Sequence, residues 1–392
     1  MHKEDNTMLV SDVMLDFAIS TGLTDPDRAP RRYLWTDAFA VCNFVELYRR
    51  SQDESWLELA RQLVDQVHRV LGRHRVDAEA SGWLSGLDEQ EGELHPTVAG
   101  LRIGKPLAER LPDEPSDERL EWDRDGQYYH YLTKWMHALS CMTRVTGDVT
   151  YLRWGMELAR AAHRAFRYAA TPDGAPALHW KMSIDLKRPL VRSAGLHDPL
   201  DGLVACSEMR SLAGDFAVDG LPDLGEEIGE LASMCRGKSL ATDDPLGIGG
   251  LLCDADWMEL LVIKGDFQHL RLFRQVLDDA LASLEGAGDT FLELPARYRL
   301  AFRELGLSIG LRGAANLARL AVEFQEDHDP DLLFELTPRI EALTRHLALA
   351  PRIERFWRGE RDKGSEHWKE HRDINMVMLA TSLAPGEFLQ AG

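Results

Sequence analysis

The chain has 392 residues, 44% hydrophobic and 28% charged, which suffices for one large core or two ordinary domains and excludes a disordered chain. Lys and Arg number 45 against 65 Asp and Glu, a formal net charge of −20. A field of that sign repels phosphate backbones and anionic headgroups, so neither nucleic acid nor a membrane surface is an expected partner.

The beginning, Met1-His2-Lys3-Glu4-Asp5-Asn6, lacks a basic-then-apolar leader, and no run approaches the roughly 18 apolar residues of a membrane helix. Five cysteines (Cys42, Cys141, Cys206, Cys235, Cys253) are widely spaced without a CxxC pair, which predicts neither a disulfide framework nor a zinc knuckle. The expectation is a cytoplasmic protein with free thiols, no cofactor and no metal.

Helical signals dominate in chain order. A helix is predicted over residues 8–19. Residues 33–48 are apolar almost all round, as suits a helix buried on most faces. Residues 55–73 instead place Trp56, Leu59, Leu63, Val67 and Val70 at 3/4 spacing behind a Ser55/Glu58 capping box. A buried helix, a polar turn and an amphipathic helix make a hairpin. Its turn, Asp53-Glu54-Ser55-Trp56-Leu57, returns as Asp148-Val149-Thr150-Tyr151-Leu152 and Asp266-Phe267-Gln268-His269-Leu270, and more weakly as Asp329-Pro330-Asp331-Leu332-Leu333. Apolar helices precede the four copies at 39–48, 132–145, 251–263 and 314–324, and two more run over 200–212 and 374–383. Amphipathic partners are expected from about Ser55, Thr150, Leu221, Phe267 and Asp331, the N-terminal helix supplying the sixth.

Stacked hairpins form an open solenoid or a closed ring. The irregular spacing, and the partner at the extreme N-terminus, predict a closed ring. The expected fold is all-α, an (α/α)6 toroid of six hairpins, one domain over 1–392 with inserts near 75–127 and 170–197. Weak alternation over residues 174–192 predicts a small β-hairpin on the rim. The first insert, with Trp83, is a candidate lid.

The turn Thr146-Gly147-Asp148-Val149-Thr150-Tyr151-Leu152, its copies and the sixfold count resemble the six-hairpin glycosidase superfamily. That group includes glycoside hydrolases, unsaturated-uronide hydrolases, polysaccharide lyases and N-acylglucosamine 2-epimerase-like sugar isomerases. The resemblance spans nearly the whole chain but rests on structural motifs, so it carries over no catalytic residue. It implies a substrate site at the N-terminal ends of the inner helices, where free N–H groups suit a polar ligand.

Counting back along each inner helix gives the candidates. The first start holds Arg32, Trp35 and Asp37, a cation, a flat ring and a carboxylate on one turn. The second reads Trp122-Asp123-Arg124-Asp125-Gly126-Gln127-Tyr128-Tyr129-His130, with Lys134 and His137 below. At the third, Asp198 reads as an N-cap with Pro199 at N1, flanked by His197 and Asp201, with Trp180 before them. The fourth carries Asp243, Asp244, Asp254 and Asp256, the deeper pair read as an internal brace. The fifth, Arg297 to Glu304, reads as an exposed basic turn. The sixth contains His367-x-x-Glu370-His371, an inverted zinc-protease pattern. The residues after it leave no room for the downstream acidic ligand, so His371 and Asp373 are instead expected to face the funnel beside Trp368.

The expected function is a carbohydrate-active enzyme, a glycoside hydrolase acting on a small oligosaccharide or glycoside. Asp37 and Asp198 are the expected general acid and base of an oxocarbenium-like reaction. Trp35, Tyr129, Trp180 and Trp368 would stack on the sugar, while Arg32, Lys134 and Arg372 hydrogen-bond it. A working pair of His197 and His371 would instead give epimerase or isomerase chemistry. A catalytically silent helical scaffold, as an open solenoid, is the third alternative.

Overall fold

The computed structural model describes residues 2–25, 27–115, 117–170, 174–191, 193–218, 220–324 and 330–390. It divides into two compact units, Ala18–Cys235 on one hand and Met1–Phe17 with Arg236–Gly392 on the other. Helix α1 (His2–Ser20) runs across the division.

In the first unit, α2 (Leu34–Ser51) is buried without interruption from Leu34 to Leu47. It packs on α3 (Glu54–Leu71), which buries a single stripe of Trp56, Leu57, Ala60, Leu63, Val64, Val67 and Leu71. Each leucine or valine of the stripe removed from water contributes roughly 1.5–3 kcal/mol. The short helices α4 (Glu89–Leu94) and α5 (Glu118–Glu121) lie in the first insert. Next come α6 (Tyr129–Thr146) with α7 (Val149–Phe166), and α8 (Asp198–Phe216) with α9 (Gly225–Cys235). The buried helices α2, α6 and α8 pack consecutively, each with its amphipathic partner.

The first two turns are built alike. A left-handed residue, Gln52 (φ 57°) or Gly147 (φ 71°), returns its N–H to the end of the buried helix. An Asp then caps the partner: Asp53 accepts from the Ser55 N–H (3.0 Å) and Asp148 from the Thr150 N–H (2.9 Å). The cap at the first turn is therefore Asp53, where the Ser55 box was expected, because the helix starts one residue earlier.

The second unit contains α10 (Pro245–Ile263), α11 (Leu270–Ala287), α12 (Ala301–Glu323), α13 (Pro330–Thr344), α14 (Leu349–Asp362), α15 (Glu366–Lys369) and α16 (Arg372–Leu383). Here α10, α12 and α16 pack in succession, with α11 on α10 and α14 on both α12 and α16. The third turn copy departs from expectation. Asp266 returns its N–H to Leu261, and α11 begins only at Leu270 with His269 at its N-cap. Asp329, in the fourth copy, lies outside the described residues. The fifth partner is split into α13 and α14.

Helices α10 and α12 approach so closely that glycine is required. A Cβ on Gly249 would stand 2.1 Å from the Gly306 carbonyl oxygen, and one on Gly310 would stand 2.4 Å from the Gly249 carbonyl oxygen. Several polar groups buried nearby are paired. Glu354 accepts from Ser308 (3.0 Å), Ser382 (2.9 Å) and Arg312 (2.7 Å). Arg299, expected in an exposed turn, is buried, and its guanidinium forks onto Glu304 (2.6 and 2.8 Å). Asp256 accepts from Asn316 (2.9 Å), an internal brace between α10 and α12.

Strand structure in the second insert differs from the expected self-contained hairpin. Strand β1 (Gln127–Tyr128) pairs with β4 (Lys181–Met182), and β2 (Arg167–Ala169) with β3 (Pro176–Leu178), both antiparallel. Each pair reaches outside residues 174–192 because the insert is anchored to the start of α6 and the end of α7. Among the described residues no helix is long and apolar enough to cross a membrane.

Candidate functional site

Within residues 18–235, the starts of α2, α6 and α8 bring together most of the predicted residues. Helix α2 begins at an extended Tyr33 whose side chain makes no cap. Asp37 supplies the missing acceptor, taking the Tyr33 N–H at 2.9 Å. It also faces Arg32 at 3.4 Å, and Arg32 reaches the Thr21 carbonyl at 2.8 Å. Arg32 and Asp37 are buried, so this pair holds the first turn of α2 in place.

The first insert is fastened to the same turn, where a lid had been expected. The Leu34 N–H bonds the Ile103 carbonyl (3.0 Å), and Gly104 sits where any Cβ would meet the Arg32 carbonyl oxygen at 2.2 Å. Asp125, fully buried, ties the segment of residues 102–105 together by accepting from Arg102 (2.6 Å) and the Gly104 N–H (2.9 Å). Trp83 is buried too, its ring over Arg73.

Helix α6 starts straight from β1, and this junction decides where four successive aromatic residues point. Pairing with β4 sets Tyr128 opposite Lys181 and leaves Trp180 beside it, with ring centroids 5.0 Å apart. Tyr129 turns inward against Phe166, its hydroxyl over Gly202 of α8. His130 and Tyr131 instead keep partial exposure. His130 lies parallel to Trp180 (6.0 Å, 9°) and edge-on to Trp35 (5.9 Å). Tyr131 packs on Trp35 (5.3 Å) and shares a 2.5 Å hydrogen bond between hydroxyls with Tyr33.

Helix α8 completes the group. Asp198 is the first helical residue and His197 the flanking one, so Asp198 does not serve as the expected N-cap. Its carboxylate folds over Gly195, where a Cβ would lie 2.3 Å from it. It thereby comes to 3.6 Å from His130 Nδ1, too far for a hydrogen bond. His130 Nδ1 and Asp198 Oδ2 are both buried with no hydrogen-bond partner. One turn deeper, Lys134 Nζ meets Asp201 at 3.1 Å.

Burial makes the electrostatics of this pair unusual. Desolvation among the rings holds the His130 pKa down to about 4. Desolvation first, and then the neighbouring Asp201 carboxylate, push Asp198 well above the usual carboxylate range. At neutral pH the imidazole is uncharged, and the carboxyl facing it holds its proton to higher pH than an ordinary aspartate. Burial also pushes the Tyr33 hydroxyl up to about 12.

The remaining candidates belong to residues 236–392. Trp368 is buried, with its carbonyl accepting from Asn375 (2.9 Å). His371 flanks α16, edge-on to Phe302 (5.5 Å). Arg372 pairs with Asp16 (2.5 Å), and Asp373 lies half-buried in the first turn of α16. The helix is interrupted at Glu370 and His371, between α15 and α16, so His367 and His371 do not share one helix face.

His130 and Tyr131 keep partial exposure beside Trp35, whereas Tyr129, which had been singled out, is buried against Phe166. Only the end of β1 fixes that register, and no sequence signal marks it.

No protein family and no curated protein matches the chain. Solved structures do. An α-mannanase of glycoside hydrolase family 76 from Bacteroides thetaiotaomicron is 9% identical with a TM-score of 0.55, covering 98% of this chain and 97% of that one. A family 76 glycoside hydrolase from a bovine strain of that species is 12% identical with a TM-score of 0.50, covering 99% and 78%. Cellobiose 2-epimerase from Spirochaeta thermophila is 13% identical with a TM-score of 0.48, covering 96% and 98%. The likeness is one of fold: the chain is all-α, of the six-hairpin (α/α)6-toroid class.

Proposed function

We propose that the protein is a carbohydrate-active enzyme, most simply a glycoside hydrolase, with its site at the starts of α2, α6 and α8. The observation that carries this reading is the unpartnered pair His130 Nδ1 and Asp198 Oδ2, set among the rings of Trp35, Trp180 and Tyr131. A sugar hydroxyl donates and accepts at once, so it can partner both the imidazole nitrogen and the carboxyl oxygen, while flat rings cover the apolar face of the pyranose. The two solved structures at TM-scores of 0.50 and above, both glycoside hydrolases, support the substrate class.

In this reading Asp198, whose burial raises its pKa, donates a proton to the leaving oxygen. Asp201, held by Lys134, is the second carboxylate. Asp37 and Arg32 hold the α2 turn that presents Trp35, and Tyr129 orients the start of α6 from behind. Activity then falls as pH rises through the elevated pKa of Asp198.

The test is a screen of the purified chain against glycosides and free sugars, reading new reducing ends and epimers together. Reducing ends are expected, with Asp198→Asn lowering turnover about 100-fold or more. Epimers without reducing ends would replace hydrolysis by isomerisation. Full turnover in both Asp198→Asn and His130→Gln would overturn the site.

A further inference from the structure

Below this site, three side chains on the two neighbouring helices α2 and α6 converge where the function has no use for them. Cys42 Sγ of α2 lies 3.7 Å from Cys141 Sγ of α6, and Cys141 Sγ lies 3.6 Å from His137 Nε2 one turn away. All three donor atoms fall within 4.8 Å of one another, and all three residues are buried. We propose that Cys42, His137 and Cys141 form a zinc site that staples α2 to α6.

Geometry, orientation and charge support it separately. With Zn–S near 2.3 Å and Zn–N near 2.0–2.1 Å, tetrahedral angles place sulfurs about 3.8 Å apart and sulfur and nitrogen about 3.6 Å apart. The observed edges are 3.7 and 3.6 Å. Two thiolates and an imidazole are the donor set that zinc selects over harder cations.

The far nitrogen of His137, Nδ1, lies 2.9 Å from Glu208 of α8. That is the carboxylate–histidine arrangement which fixes a metal-binding ring and its tautomer. Arg144 completes the surroundings, donating to Glu208 (2.6 Å) and to Cys141 Sγ (3.0 Å). Two thiolates balance the dication while Glu208 and Arg144 balance each other, so the loaded site is neutral, as a buried site requires. Cys42 and Cys141 are 99 positions apart, which is why no ligand spacing shows in the sequence.

The experiment loads the full chain, freed of metal by a chelator under reducing conditions, with zinc and separately with cobalt(II). One equivalent is expected to bind, and the cobalt form should show thiolate charge transfer and an intense tetrahedral visible band. Cys42→Ser should abolish stoichiometric binding, Glu208→Gln should weaken it about 10–100-fold, and Cys253→Ser should leave it unchanged. A weak octahedral cobalt spectrum in the wild-type chain overturns the site. So does undiminished zinc binding by a natively helical Cys42→Ser variant, or a Cys42–Cys141 disulfide that forms in place of metal uptake.

Discussion

Substituting alanine at Gly249 isolates the closest helix contact in the protein's second unit. A Cβ there would stand 2.1 Å from the Gly306 carbonyl oxygen, a backbone atom that no rotamer change can move. Restoring even 3.0 Å requires α10 and α12 to part by about 0.9 Å (3.0 − 2.1), and a gap of that size forfeits roughly a quarter to a half of each dispersion contact along the seam. Overpacking of this kind costs about 3 kcal/mol at the upper end of its usual range, while glycine-to-alanine in a helix returns about 1 kcal/mol. The expected net loss is about 2 kcal/mol, or a Tm about 4–8 °C lower.

Gly250 is the internal control. It lies in the same helix, and a Cβ there would meet nothing within 4 Å. Gly250→Ala should therefore gain about 0.5–1 kcal/mol. Thermal melts followed by far-ultraviolet circular dichroism, with urea midpoints as a second measure, decide the matter. If Gly249→Ala melts at or above the wild type, the close-approach argument fails.

Three further outcomes are expected. His68 is buried and accepts from Trp135 Nε1 (3.1 Å), with its pKa lowered by burial to about 3. The unfolded chain therefore binds the extra proton between pH 6.5 and 3, and stability declines as pH falls through that window. The loss is about 1.4 kcal/mol per unit; a His68→Gln variant should show a flatter Tm–pH curve from 7 to 5, and a parallel curve would refute this. Asp198 carries the opposite sign. Its raised pKa makes the folded state the tighter proton binder, so stability falls as pH rises above the unfolded value, and Asp198→Asn should raise Tm at pH 7 even as turnover drops. Asp148→Ala removes an exposed N-cap and should cost about 1 kcal/mol by urea titration, with Asp53→Ala matching it if the two turns are equivalent.

The buried helices were legible because burial on every face leaves an unmistakable mark: α2 has no polar stripe from Leu34 to Leu47. The capped turns at Asp53 and Asp148 were legible for an equally local reason, since one carboxylate and one backbone N–H two residues on suffice. Asp266 shows the limit of such patterns. The residues recur, yet the helix starts at Leu270 with His269 at its N-cap, which leaves Asp266 four residues ahead of the start instead of one.

The candidate site was legible by region and not by side chain. Residues 128–131 are four rings in a row, and the strand pairing of Tyr128 with Lys181, 53 residues away, selects which of them keep contact with solvent. Asp198 was visible as a helix-start acid, but its approach to His130 depends on the missing side chain of Gly195. The cysteine pair was invisible for the same reason, as its two members meet only through helix packing.

The capped turns also separate chemistry from attachment. Helix α6 has 18 residues, so the Gly147–Asp148 turn lies about 27 Å from the ring cluster at its start. Both residues of that turn are exposed. A fluorophore, an affinity peptide or a surface tether placed in that turn would load the protein at the end of the helix opposite the candidate site. Immobilised in that way, the chain could be screened for sugar binding with its candidate site facing free solution.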